Sequence, residues 1–303
     1  MYSVQPVFPK ILLVTYDFNG AGSGDRPVRQ LFGWNDPFEL TDQFIHDLQS
    51  ASANYCNYEI VESQVVDGFP VKVDGFRYTK ESYSKAWQSR SDFHQPDWAD
   101  YDEIVETLNL SYQIRSKEID EVWLFAGPYA GFYESRMAGP GAFWCNAPPL
   151  EGYRSTKRRF VIMGFNYERG VGEMLESYGH RVESIMDHVY RRKRGASNLW
   201  KRYTRYHRSH PGQAEVGNVH FAPNSRHDYD WGNMLPVPSR CDNWLNFPYL
   251  SGRPKLVNSS EWGKGDIRQH HLWWLRHLPH VEGITDGIAN NWWEYIVDPN
   301  RVD

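Results

Sequence analysis

Glu173, Glu176, His180, Glu183 and Asp187 recur at steps of three and four residues, the spacing that brings side chains together on one face of a helix. An imidazole with carboxylates one turn below and one turn above it suits two roles. It can share a divalent ion with a carboxylate, as helical zinc motifs do. It can also form charge-assisted His–Glu pairs on a solvated face. The fuller His-Glu-x-x-His pattern is absent from the chain, so further ligands must come from elsewhere. His220 is the leading remote donor, because it stands among apolar residues in Val219-His220-Phe221 just before the chain turns polar. Asp228 and Asp230 follow, two apart and so on one side of an extended chain, placed to bind a cation or to orient His220. The expected metal set is His180 and His220 with Glu176 or Glu183. Zinc is the simplest ion, and the reagent is a water that the ion activates. Glu173 or Glu168 would take its proton.

The raw material for such a site is unevenly spread. Ten of the 12 histidines lie between His180 and His280, and seven of the 13 tryptophans lie from Trp231 onward. Tryptophan, tyrosine and asparagine together suit sugar recognition, since rings stack on pyranose faces while amides bond hydroxyls. The same rings also suit an irregular core. Trp231, Trp273, Trp274, Tyr133 and Asn224 are the expected substrate contacts. Asp266 to Pro279 reads as a helix with Asp266 as its N-cap. One face of it carries His270, Trp273/Trp274 and His277, suited to a cleft, and another carries His271, Leu275 and Leu278, suited to a core.

These groups need a scaffold. Lys10–Tyr16, Tyr58–Val66, Glu121–Ala126 and Arg159–Phe165 read as strands from their apolar and β-branched content. Asp36-Pro37-Phe38-Glu39 starts a helix that runs to about Ala53. Apolar spacing predicts a second helix over 102–117. Gly170–Tyr190 is the clearest helix, with Val171, Met174, Leu175, Tyr178, Val182, Ile185, Met186 and Val189 forming its core stripe. Short helices are expected near Leu199–Tyr206, Asp266–Leu278 and Asn291–Ile296. The alternation predicts an α/β fold: a mainly parallel sheet flanked by helices, with a loop-rich aromatic C-terminal extension packed on it. The whole of 1–303 reads as a single domain, with 1–195 the scaffold and 196–303 the extension.

Parallel sheets bind ligands beyond the carboxyl ends of their strands. Asp17, Glu134 and Glu168 follow three of the strands, with Arg136 and Arg169 as expected charge partners. A second reading is therefore a metal-independent glycoside hydrolase in which Glu134 and Glu168 act as acid and base. A third is a non-enzymatic carbohydrate-binding protein. The Gly139-Pro140-Gly141 segment needs special backbone geometry and suits a pocket wall, while nothing local activates Cys145, which reads as a buried thiol.

Composition excludes several classes. A net charge of -5 argues against nucleic acid as a general partner. Basic runs at Lys157–Arg159 and Arg191–Arg194 read as solvated. Three cysteines give no disulfide framework and fit a reducing compartment. No apolar run has membrane-spanning length, and no signal peptide is visible, which fits a cytoplasmic protein or an exported one whose signal has been removed. Residues 20–24 are glycine-rich after a strand but do not spell Gly-x-Gly-x-x-Gly. They suit an anion-holding turn or a flap. Neither a Walker lysine motif nor a Gly-x-Ser-x-Gly elbow occurs. The sequence thus points to a metal-dependent hydrolase acting on a peptide or a glycan, of unspecified oligomeric state.

Overall fold

The computed structural model describes residues 4–18 and 26–303. The glycine-rich turn at 20–24 lies outside them. Lys10–Asp17 (β1) is buried from its second residue onward, as a central parallel strand covered on both faces must be. Val28–Leu31 (α1) and Pro37–Ala51 (α2) follow. Asp36 caps α2 as expected, accepting from Phe38 N at 2.9 Å. Glu59–Asp67 (β2) alternates between half-buried and exposed residues. Lys80–Ser89 (α3) begins with a capping box between Thr79 and Ser82, which lacks the usual glutamate and so was not legible.

The helix expected over 102–117 is two helices, Tyr101–Thr107 (α4) and Leu110–Ser116 (α5). Asn109 between them is left-handed, with φ of 50°, and asparagine tolerates that conformation because its short amide bonds locally. Its neighbours keep the apolar rhythm, so periodicity alone could not reveal the break. Glu121–Ala126 (β3), Ser135–Ala138 (β4) and Phe160–Asn166 (β5) complete a five-stranded sheet of order β2-β1-β3-β5-β4. All its pairs are parallel except β4 against β5. The sheet is thus mostly parallel and flanked by helices, with a four-residue antiparallel edge strand too short to show as a periodic signal.

Contacts divide the chain into two compact units. The sheet unit is Pro9–Gln43 with Tyr58–Gly170. In its core, Ile104, Val105, Leu110 and Ile114 from α4 and α5 pack with Leu12, Val14, Val122, Leu124 and Ile162 of the strands.

The second unit joins the chain up to Phe8, Phe44–Asn57 and Val171–Asp303. Its longest element is Val171–Val189 (α6). Leu199–Tyr203 (α7), Val237–Ser239 (β6), Lys255–Val257 (β7), Ile267–Arg276 (α8), His280–Thr285 (β8), Ile288–Asn291 (β9) and Trp293–Val297 (α9) follow. β6 pairs with β7 and β8 with β9, both antiparallel. Rings supply much of the core where regular elements are short. Tyr203 stands with its ring centroid 5.1 Å from Trp244, 5.8 Å from Trp274 and 5.6 Å from Trp292. Asp266 caps α8, accepting from Gln269 N at 2.8 Å.

Two glycines set the contact between α6 and α8. A Cβ on Gly172 would collide with Ile267 Cγ2 and stand 3.1 Å from Arg268 N. A Cβ on Gly179 would lie 2.7 Å from Val219 Cγ2 and 3.7 Å from Trp274 Cζ3. Gly172 faces Ile267 and Gly179 faces Trp274, the same seven-residue step on each helix. The two helices therefore run in the same direction in fixed register, with their backbones brought close by the missing side chains. No helix among the described residues is long and apolar enough to cross a membrane.

Candidate metal centre

The core stripe of α6 is buried as expected at Val171, Met174, Leu175, Tyr178, Val182, Ile185 and Met186. That orientation turns Glu176, His180 and Glu183 toward the half-buried flank of the helix. The chain segment carrying His220 reaches the same place, because Val219 N donates to Glu183 Oε1 at 3.1 Å. Glu176, His180 and His220 each offer one ligand atom, and these atoms all lie within 4.8 Å of one another. His220 Nε2 is 3.1 Å from His180 Nε2 and 3.4 Å from Glu176 Oε1. The three side chains are 18 % (His180), 28 % (His220) and 13 % (Glu176) exposed, enclosed yet reachable.

The outer nitrogens explain why the inner ones converge. His180 Nδ1 lies 3.0 Å from Glu183 Oε2, and His220 Nδ1 lies 3.1 Å from Asp228 Oδ1. An ionised carboxylate only accepts, so each Nδ1 carries a hydrogen, and the two Nε2 atoms are turned toward each other beside Glu176. Carboxylates behind histidine ligands fix tautomer and ring orientation in this way at metal sites. Two ring nitrogens at hydrogen-bond distance, with a carboxylate beside them, call for a cation or a proton among them, and with no ion a proton on His220 Nε2 makes the hydrogen bond to Glu176. Burial works to raise the Glu176 carboxyl, but the hydrogen bond to His220 and the surrounding imidazoles bring it below the usual range. The same hydrogen bond holds the His220 imidazole above its usual value, against burial and the charge of His180.

Tyr229 borders the open side. Its hydroxyl is 3.2 Å from His220 Nε2, and its half-exposed ring packs tilted on the His220 ring at 4.5 Å. His271 is fully buried on α8. Its Nδ1 donates to Ile267 O at 2.8 Å, and its Nε2 has no hydrogen-bond partner. Burial lowers this imidazole to about 4, with Glu176, His180 and His220 all felt electrostatically. His270, beside it, is fully buried with neither nitrogen partnered, and its ring stacks on Trp231 at 4.8 Å.

The remaining expected residues are placed as follows. Glu183 stands behind His180, outside the converging trio. Glu173 lies in the first turn of α6, half-buried. Trp274 is fully buried with its indole N–H on Gly217 O at 3.1 Å, and Trp231 is buried with its carbonyl accepting from Trp262 Nε1 at 2.8 Å. Trp273 is half-buried against Trp262 and His277. Asn224 is buried, its amide donating to Asn233 O at 2.7 Å and Leu235 O at 2.8 Å. The α8 face expected to line a cleft is buried at His270, Trp274 and His277.

Glu134, Glu168 and Tyr133 belong to the sheet unit. The Glu134 carboxylate accepts from Asn146 Nδ2 just before β4. Glu168 is exposed after β5, with its N–H donated to Asn166 Oδ1 at 2.9 Å. Tyr133 stacks on Trp98 at 5.0 Å. Asp17 ends β1, buried and paired with Arg29 Nε at 3.3 Å, and burial pushes its carboxyl up to about 6. Arg136 does not play the charge-partner role expected of it. Its Nε donates to Pro148 O at 2.9 Å, and its guanidinium lies over Tyr101 and Tyr133. The Gly139–Ala142 segment does wall a hollow of about 340 Å³, facing Pro149–Arg154.

A second trio, Cys241, Asp242 and His277, also has ligand atoms within 4.8 Å of one another. Lys255 Nζ sits 3.0 Å from Asp242 Oδ1 and 3.1 Å from Glu261 Oε2, so a cation already stands against the carboxylate of this trio. Burial pushes the Cys241 thiol up to about 12. Tyr229 and His271 carry no sequence signal of their own: one follows an aspartate in a loop, and the other fits a core stripe. Compared with protein-family models, with curated proteins and with solved structures, the chain matches none.

Proposed function

We propose that the protein is a metal-dependent hydrolase whose divalent ion, zinc in the simplest case, is held by Glu176, His180 and His220. The supporting observation is the pairing of both imidazoles through Nδ1 with carboxylates, Glu183 and Asp228, while both Nε2 atoms turn toward Glu176. The ion supplies a water acidic enough to attack near neutral pH. Glu173, one turn before Glu176 on the same helix, takes the proton from that water. The substrate enters from the side of Tyr229 and Asp228, the exposed neighbours of His220, and is a peptide or a glycan. In this reading the aromatic residues from Trp231 onward chiefly build the wall behind the ion, with Trp273 half-buried among them.

The test is elemental analysis of protein purified without chelator, paired with hydrolysis of a casein-derived fluorescent peptide mixture and of nitrophenyl glycosides. One zinc per chain, lost in His180→Ala together with hydrolysis, is the expected result. Absence of stoichiometric metal, or a His180→Ala protein that retains it, overturns the reading.

A further inference from the structure

We propose that His271 is a fourth protein donor to the same ion, binding through Nε2 from the closed side of the centre; this rests on reading Glu176, His180 and His220 as its other ligands.

The register of α6 and α8 supports this placement. Gly172 faces Ile267 and Gly179 faces Trp274. Four residues along from the first pair, on both helices, stand Glu176 and His271. Side chains four apart share a helix face, so His271 lies across from Glu176, between the two glycine contacts. Its Nδ1 is committed to Ile267 O one turn back on its own helix. A carbonyl can only accept, so Nδ1 carries the hydrogen and Nε2 is a bare lone pair. That atom is buried and has no hydrogen-bond partner.

A buried acceptor nitrogen that no donor reaches is a costly arrangement in the interior of a protein. Protonating it would form an ion pair, but the ring is fully enclosed, and enclosure disfavours the charged form. A cation between Glu176 and His271 removes the conflict without a proton. All three rings then follow one rule. Each is held at Nδ1 by an oxygen, from Glu183, Asp228 or Ile267, and each presents Nε2. Four protein donors leave a solvent molecule only the side facing Tyr229, so one face of the ion is dry and the other wet.

Zinc-loaded full-length protein provides the test. X-ray absorption at the zinc edge counts coordinated imidazoles, and competition with a chromophoric chelator gives affinity. Three imidazoles in the wild type are expected. His271→Gln is expected to lower the count to two and to weaken zinc on the order of 100-fold, at the upper end of what loss of a supporting group costs. Two imidazoles in the wild type overturn the role of His271 and leave the three-residue centre standing. No bound zinc in the wild type overturns both. A variant that retains three imidazoles also overturns the proposal. Should His271→Gln fail to fold, the wild-type count decides alone.

Discussion

The two units differ in their buried imidazoles rather than in their buried carboxylates. In the sheet unit, buried charges and polar groups find partners close by. Asp17 has Arg29, Lys72 has Asp97 at 2.5 Å and the carbonyl of Tyr129, and Glu121 accepts from the Trp123 indole at 2.8 Å. The second unit also pairs its buried carboxylates, Asp47 with Arg268 and Glu215 with Arg202, but it gathers imidazoles as well: His180 against His220, His271 with Nε2 and His270 with both ring nitrogens lacking a hydrogen bond. Compensated charge is what a scaffold needs to stay folded. Uncompensated lone pairs destabilise a fold unless something else supplies the positive charge. On the proposed reading, the difference separates carboxylates that hold the structure from imidazoles that would bind an ion.

This contrast can be broken outright. His180→Ala or His220→Ala should abolish stoichiometric zinc and the hydrolysis that depends on it, while Glu134→Gln and Glu168→Gln leave zinc content unchanged; elemental analysis of the four proteins decides. Zinc loss in the sheet variants would erase the distinction. A second measurement sharpens it. An ion that binds only the native state at a thousand times its dissociation constant stabilises by about 4 kcal/mol. Hydrogen exchange with and without zinc should slow in α6, α8 and the loop carrying His220, and not in β1–β5. Uniform protection across both units would count against a local centre.

The outer carboxylates give the next effect. Glu183→Gln and Asp228→Asn should each weaken zinc by about 10- to 100-fold, measured by chelator competition, with unchanged metal stoichiometry at saturation. Gly179→Ala should cost about 1–3 kcal/mol in denaturant unfolding, because its Cβ meets Val219 Cγ2 in a packed interior. An equally stable variant would show that the α6–α8 contact is looser than its register implies.

The smallest effect lies in the sheet unit. Asp17 is raised to about 6 by burial, above the unfolded value of about 3.9. The native state then binds more protons than the unfolded one between about pH 4 and pH 6. Its contribution to stability is present below that window and is lost as pH rises through it. Asparagine does not titrate, so the melting temperature of Asp17→Asn should gain on the wild type between pH 4 and pH 7. A constant difference across that range refutes the assignment.

What the sequence revealed follows the range of the forces involved. The four long strands and α6 were legible, because burial writes its period directly into Leu12 to Val14 or into Met174, Tyr178 and Val182. The break at Asn109 and the edge strand Ser135–Ala138 were not, since neither changes the apolar rhythm. On the α6 face, Glu176 and His180 stood out by spacing, and His220 by the polar turn after it. The neighbour relation of Asp228 to His220 was readable in part. His271 was hidden, because a histidine in a core stripe looks like any buried residue until the helix across from it is known. Arg29 was equally hidden as the partner of Asp17, since only the fold returns it to the end of β1.

The shared direction of α6 and α8 has a topological consequence. Antiparallel helices can be joined by a tight hairpin, but two that point the same way oblige the polypeptide to travel back the length of the second before starting it. For the ten residues of α8 that is about 15 Å of retrograde path, and His220 rides on this return leg. Connector length is thus no idle insertion: replacing it with a minimal linker would sever the route by which His220 reaches His180 and Glu176, even with both helices left intact.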